Sequence, residues 1–346
     1  MPTLLLSRPH AIDTIDTIDT IGTPALWAVT IGVVLALLVL DFAATRRPHE
    51  VTMREAVGWS AFYIALPLAF GGWVWSGHGA ERGVEYYTGY LVEKTLSVDN
   101  LFVLMLLLAA FAVPAALQQR VLLYGIVGAL VLRGIFIALG AAALAAFDWV
   151  YAIFGLVLLA TGLKLLRDAV TGGMHVAKEV HRMRSVRLVR RLMPVTDDYD
   201  GTRLTSRVAG RRALTPLALV VVAVLVTDVV FAVDSVPAVY GITGDPYLVF
   251  ATNAFALLGL RALYFVVQGA LSRLAHLGFG LAAILGFIGV KLVLHWAHLT
   301  WPTVPEVPTT VSLGVIVAVL ALTTATSLIA TCGRSASRES SGTAAR

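Results

Sequence analysis

Long runs of apolar residues, interrupted by short polar stretches, dominate the pattern along this chain. Lipid offers backbone groups no water to bond, so each membrane crossing needs about 20 mostly apolar helical residues. Nine segments meet that measure, at 25–43, 56–76, 86–112, 121–144, 149–166, 215–240, 249–270, 277–297 and 311–330. The third is polar in its first half, which predicts a broken or tilted span. The pattern predicts an all-α, polytopic membrane helix bundle of about nine transmembrane helices.

Composition agrees. Apolar residues make up 58% of the chain and charged residues 14%, with a mean hydropathy of +0.83. A soluble surface normally carries about a quarter charged residues, so most of this surface faces lipid. The net charge of +5 does not point to nucleic acid, because the basic residues flank hydrophobic segments. Nineteen lie in loops expected on one side and two, Arg8 and Arg82, on the other. That asymmetry sets the N-terminus outside and the C-terminus in the cytoplasm. The single Cys332 excludes an intrachain disulfide or a thiolate metal site.

The polar stretches divide the chain into a disordered extracytoplasmic tail at 1–24, without a signal-peptide pattern, and two N-terminal helices at 25–80. A three-helix unit follows at 81–166, then a basic cytoplasmic linker at 167–213. A second three-helix unit covers 214–297, the last helix 298–330 and a cytoplasmic tail 331–346. The two units echo one another: Ser97-Val98-Asp99-Asn100 matches Ala232-Val233-Asp234-Ser235. Arg133 matches Arg261 within similar strings, and Thr161-Gly162-Leu163-Lys164 matches Ile288-Gly289-Val290-Lys291. With three spans each, the units run in opposite directions, which predicts inverted repeats and a transporter-like midplane site.

Ionisable side chains at membrane depth cost roughly 2.5–3.5 kcal/mol each on insertion scales, so each needs a reason. The spans hold Asp41, Glu93, Asp99, Asp228 and Asp234 against Lys94, Arg133, Lys164, Arg261 and Lys291. Lys164 and Lys291, near span ends, read as snorkelling residues. Arg133 and Arg261 read as charge-pairing or gating residues, and Lys94 as a neutralising partner for Glu93 or another carboxylate. Asp41 reads as a capping residue. Asp99 and Asp234, each followed by a small oxygen-bearing residue (Asn100 or Ser235), read as ion ligands. Glu93 and Asp228 precede them by six residues, too far round a helix for one ion to bridge both acids of a segment. Asn253 is a further oxygen donor. Oxygen ligands suit Mn²⁺, Mg²⁺ or Ca²⁺, and none of the eight histidines forms a paired motif deep in a span.

The strings Thr88-Gly89-Tyr90-Leu91-Val92-Glu93-Lys94-Thr95-Leu96-Ser97-Val98-Asp99-Asn100, Thr227-Asp228-Val229-Val230-Phe231-Ala232-Val233-Asp234-Ser235 and Thr252-Asn253-Ala254-Phe255 through Arg261-Ala262-Leu263-Tyr264-Phe265 resemble the TerC/Alx family of bacterial membrane proteins. The resemblance runs from about Leu26 to Leu328. It implies metal homeostasis, manganese export and, historically, tellurite resistance, with ion-pathway roles for Glu93, Asp99, Asn100, Asp228, Asp234, Ser235 and Asn253. The chain departs from it at Leu225, where members usually carry Glu.

The expected function is export of a divalent cation, Mn²⁺ first, by alternating access of the inverted halves, with proton coupling as a further hypothesis. The alternative is a membrane scaffold or stress-complex subunit whose buried charges are structural pairs and whose 167–213 loop docks membrane or cytoplasmic partners. An enzyme is not expected: no HExxH, GxGD or Walker pattern is present, and no bound cofactor is implied beyond the transported ion and the lipid bilayer.

Overall fold

The computed structural model describes residues 20–44, 52–171, 196, 201–208, 211–270 and 277–343. Residues 1–19 of the expected tail, most of the 167–213 linker and Arg273 lie outside them. The chain forms α1 (Pro24–Ala44), α2 (Met53–His78), α3 (Ala80–Ala110), α4 (Ala115–Ala146) and α5 (Trp149–Thr171). An antiparallel pair, β1 (Thr205–Val208) and β2 (Arg211–Leu214), precedes α6 (Pro216–Tyr240). Then come α7 (Pro246–Leu258), α8 (Leu260–Ala270), α9 (Leu277–Thr300) and α10 (Thr309–Thr343). The small hairpin is an addition to the all-α expectation. Helix α10 continues past the expected boundary at 330.

Local chemistry sets several ends. The hydroxyl of Thr52 accepts from the Glu55 amide at the start of α2, and Thr215 with Pro216 opens α6. Asp245 caps α7, accepting from the Tyr247 amide at 2.8 Å, and also takes Thr20 Oγ1 and the Ile21 amide. The last residues of the expected disordered tail are therefore tied down.

Among the described residues seven helices are long and apolar enough to cross a membrane, and the bent pair α7–α8 makes an eighth. The count of nine is reached only with α3. That helix was expected to be broken or tilted, yet it runs unbroken. Its polar residues bond within it, Thr88 to the Val84 carbonyl at 2.6 Å and Thr95 to that of Leu91 at 2.7 Å. The break falls in the seventh span instead, where α7 and α8 meet at Gly259 with a 43° bend. Glycine weakens a helix interior, and here a Cβ would lie 2.9 Å from that of Tyr63.

The helices pack in an exchanged pattern. Helix α4 lies on α6, α3 lies on α7, and α5 runs along α9. The last contact is backbone to backbone: a Cβ on Gly155 would meet the Gly289 carbonyl oxygen at 2.8 Å, and one on Gly162 would meet that of Ala282 at 3.1 Å. Small residues allow such approach where apolar burial gives helices no advantage over lipid tails. Outward faces of α1, α2 and α10 expose Val39, Leu68 and Leu322, as lipid contact requires.

Candidate functional site

Arg133, at the middle of α4, is 1% exposed and is the largest fully buried side chain among the described residues. No part of its guanidinium reaches bulk water, so the fold must supply its partners. Nη1 pairs with Glu93 of α3 and donates to Oδ1 of Asn253 of α7 at 2.9 Å. Nε lies 3.6 Å from Oδ1 of Asp228 of α6. With its amide oxygen turned inward, Asn100 accepts from Nη2 at 3.2 Å and donates to the Leu96 carbonyl at 3.2 Å. Four helices, two from each three-helix unit, thus converge on one guanidinium.

Asp99 and Asp234 stand beside this cluster rather than on the arginine. Asp234 lies within electrostatic reach of both Arg133 and Asp99. Pro237 has no amide hydrogen, so the Val233 carbonyl next to Asp234 loses its helical donor. Oδ2 of Asp228 and the hydroxyls of Ser97 and Ser235 are buried with no hydrogen-bond partner among the described residues. A cavity of about 40 Å³ between α3, α4, α6 and α7 reaches Asn100, Thr227 and Asp228. Its other lining side chains, among them Leu104, Leu107, Leu122, Ile126 and Val224, are apolar, so few groups there could hold a water.

Of the expected ion ligands, then, Glu93, Asn100, Asp228 and Asn253 meet at Arg133, and Asp99, Asp234 and Ser235 border them. Among the described residues no three His, Cys, Asp or Glu side chains are gathered closely enough to hold a metal ion. The carboxylates are spread around a cation that belongs to the protein.

The other charges separate. Arg261 grips Asp41 of α1, with Nε 2.9 Å from both carboxylate oxygens and Nη2 2.5 Å from Oδ1. Asp41 is therefore an ion-pair partner rather than only a cap. Lys94 does not neutralise Glu93: its ammonium donates to the Ala256 carbonyl at 3.3 Å, where the break at Gly259 interrupts the helix. A cation there complements the C-terminal end of α7. Leu225 packs against Gly128 of α4. Sequence reasoning passed over a second group, Glu85, His295 and Glu306 with Lys291. Their shared end of the bundle, which alternating topology assigns, was the available signal.

A multi-helix bundle with buried charges at its centre and apolar residues on its rim is an integral, multi-pass membrane protein. The chain belongs to the integral membrane protein TerC family, whose family model matches residues 78–335. It is 40% identical to an uncharacterized membrane protein of Myxococcus xanthus over 89% of this chain and 93% of that one. It is 44% identical to one from Mycobacterium tuberculosis (strain H37Rv), over 89% of this chain and 80% of that one. It is 40% identical to the Escherichia coli (strain K12) protein named "Putative membrane-bound redox modulator Alx", over 87% of this chain and 94% of that one. No solved structure matches the chain.

Proposed function

We propose that this protein exports a divalent cation, Mn²⁺ in preference, across a bacterial plasma membrane, with its N-terminus outside and its C-terminus in the cytoplasm. One observation carries the reading. Four carboxylates, Glu93, Asp99, Asp228 and Asp234, share the middle of the bundle with a single guanidinium, that of Arg133. At that depth uncompensated charge is costly, and a proton or a mobile cation must make up the difference.

Asp99 and Asp234, which Arg133 does not grip, bind the ion. Asn100, Ser235 and the released Val233 carbonyl complete its oxygen shell. Glu93, Asp228 and Asn253 hold Arg133, which acts as a tethered counter-ion that must shift as the cargo passes. The exchanged packing supports the inverted-repeat mechanism: an operation relating α3 to α6 and α4 to α7 also turns α4-on-α6 into α7-on-α3. The same operation carries the Gly155–Gly289 approach onto Ala282–Gly162.

A second reading, a membrane scaffold with structural ion pairs, draws on the close grip of Arg133 on Glu93 and of Arg261 on Asp41. A redox role, the sense of the E. coli relative's name, would not run through an intrachain disulfide, because Cys332 is the one cysteine.

Mn²⁺ flux into proteoliposomes separates these readings. Asp99→Asn and Asp234→Asn should each leave folded protein and abolish flux. Undiminished flux in both variants would favour the scaffold.

A further inference from the structure

A second, larger cavity of about 680 Å³ opens at the end of the bundle that holds the start of α3, the α6–α7 turn, the end of α9 and the loop before α10. Lys291 of α9 lines it, is nine-tenths buried, and has no hydrogen bond or ion pair among the described residues. A buried ammonium needs acceptors, and the fold gives this one none. Thr309 and Thr310, the first two residues of α10, line the same space. Bonding in that helix begins with Val311, whose amide reaches the Pro308 carbonyl at 3.1 Å, so the two threonine amides are left over. Leftover amides at a helix start, sharing a cavity with a buried ammonium, form a positive pole that fits an anionic group.

The cavity has a negative pole as well. Glu81 and Glu85, one turn apart near the start of α3, also line it. Glu85 accepts from Thr243 at 2.8 Å and from Arg82 at 3.0 Å, both through Oε2, and Oε1 stays outside these bonds. Glu81 makes no hydrogen bond or ion pair among the described residues. The third acid, Glu306, is engaged by Nδ1 of His295 at 2.8 Å. A bare anion would face the two glutamates of α3, and a bare cation would face Lys291. A zwitterion answers both poles.

The neighbouring turns say where in the membrane this cavity lies. Phe147 and Trp149, in the α4–α5 turn just before the cavity-lining Tyr151, are exposed, and so is Trp301 at the end of α9. Exposed aromatic side chains at span ends mark the headgroup level of a bilayer. We infer that the cavity binds a phosphoethanolamine group, with its phosphate on Lys291 and the α10 amides and its ammonium on Glu81 and Glu85. A primary ammonium offers the N–H donors that carboxylates accept, and a choline group has none. The group arrives either as the headgroup of phosphatidylethanolamine or as the free compound. The site shares no residue with the cluster around Arg133 and does not depend on the export reading.

The test is native mass spectrometry of delipidated, full-length protein released from micelles, counting bound molecules for two probes, O-phosphoethanolamine and dihexanoyl-phosphatidylethanolamine. Binding of the lipid alone assigns the site to a membrane headgroup, and binding of the free compound alone to a soluble ligand. Binding of both shows that the headgroup suffices. Dihexanoyl-phosphatidylcholine and inorganic phosphate should each bind about tenfold more weakly or worse. Lys291→Gln should weaken the bound probe about tenfold or more. Thr309→Pro removes one α10 amide at a position that suits proline, and should weaken it severalfold. Glu81→Gln combined with Glu85→Gln should erase the preference for ethanolamine over choline. Binding of neither probe, equal binding of the choline lipid or of inorganic phosphate, or affinity unchanged by both Lys291→Gln and Thr309→Pro would overturn the site.

Discussion

Arg133 and Arg261 occupy matching places in the two units, yet they meet different company. Arg261 has one acid, Asp41, and grips it with two guanidinium nitrogens. One acid meets one guanidinium there. Arg133 touches Glu93, Asp228, Asn253 and Asn100, with Asp99 and Asp234 close by. Charge there is not balanced. A fold built from echoing halves has kept one arginine as a fastener and left the other in a surplus of acid. The difference arises because Asp41 belongs to α1, which lies outside both units and serves only one of them.

The comparison breaks most visibly at Arg133. Arg133→Met strands Glu93 and Asp228 without a counter-charge, and removing one partner of a buried pair typically costs about 3–5 kcal/mol. Folded yield and thermal midpoint in detergent should fall further for this variant than for those at Asp41 or Lys94. Exchanging charges as Glu93→Arg with Arg133→Glu should not restore them, because Arg133 serves partners on three other helices. A restored midpoint would mean that the cluster is an ordinary pair.

At the second arginine the opposite holds. Asp41→Asn should destabilise on the same scale, about 3 kcal/mol or somewhat less, since it too leaves a buried charge unmatched. Here the exchange Asp41→Arg with Arg261→Asp should recover part of the loss, because two guanidinium nitrogens bond both carboxylate oxygens. Mn²⁺ flux per folded molecule should be unaffected by the exchange. Loss of flux would make this pair part of the ion path.

The sequence carried the ingredients of this contrast better than their pairing. Nine apolar runs and the periodic placement of acids made the bundle and its buried charges readable, since lipid imposes length and composition on every span. Asp99, Asp234, Arg133 and Arg261 stood out because a charge in an apolar run has few explanations. Which acid meets which arginine depends on helix rotation and neighbour choice, which hydropathy does not encode. Asp41 looked like a cap because it sits near a helix end, and only the packing of α1 beside α7 and the α7–α8 bend brings it to Arg261. The unbroken course of α3 was hidden for a related reason: its Thr88 and Thr95 satisfy themselves on preceding carbonyls, so polarity there does not unwind the helix. Lys291, His295 and Glu306 were legible singly as loop or end residues, while the cavity joining them is a product of five separate chain segments.

The smallest expected effect is at Lys94, and it tests whether the surplus of acid around Arg133 is real. Lys94 follows Glu93 directly, and if its ammonium neutralised the cluster the imbalance would shrink by one. Its bond instead goes to the Ala256 carbonyl, near the Gly259 break. Removing it should cost only what a cation at a helix C-terminus contributes, about 0.3–1 kcal/mol and up to about 2 kcal/mol in a buried setting. Lys94→Met should therefore lower the thermal midpoint slightly and leave the apparent Mn²⁺ affinity for flux unchanged. A marked tightening of Mn²⁺ would show the ammonium competing for the midplane carboxylates, and the contrast between the two arginines would lose its basis in charge.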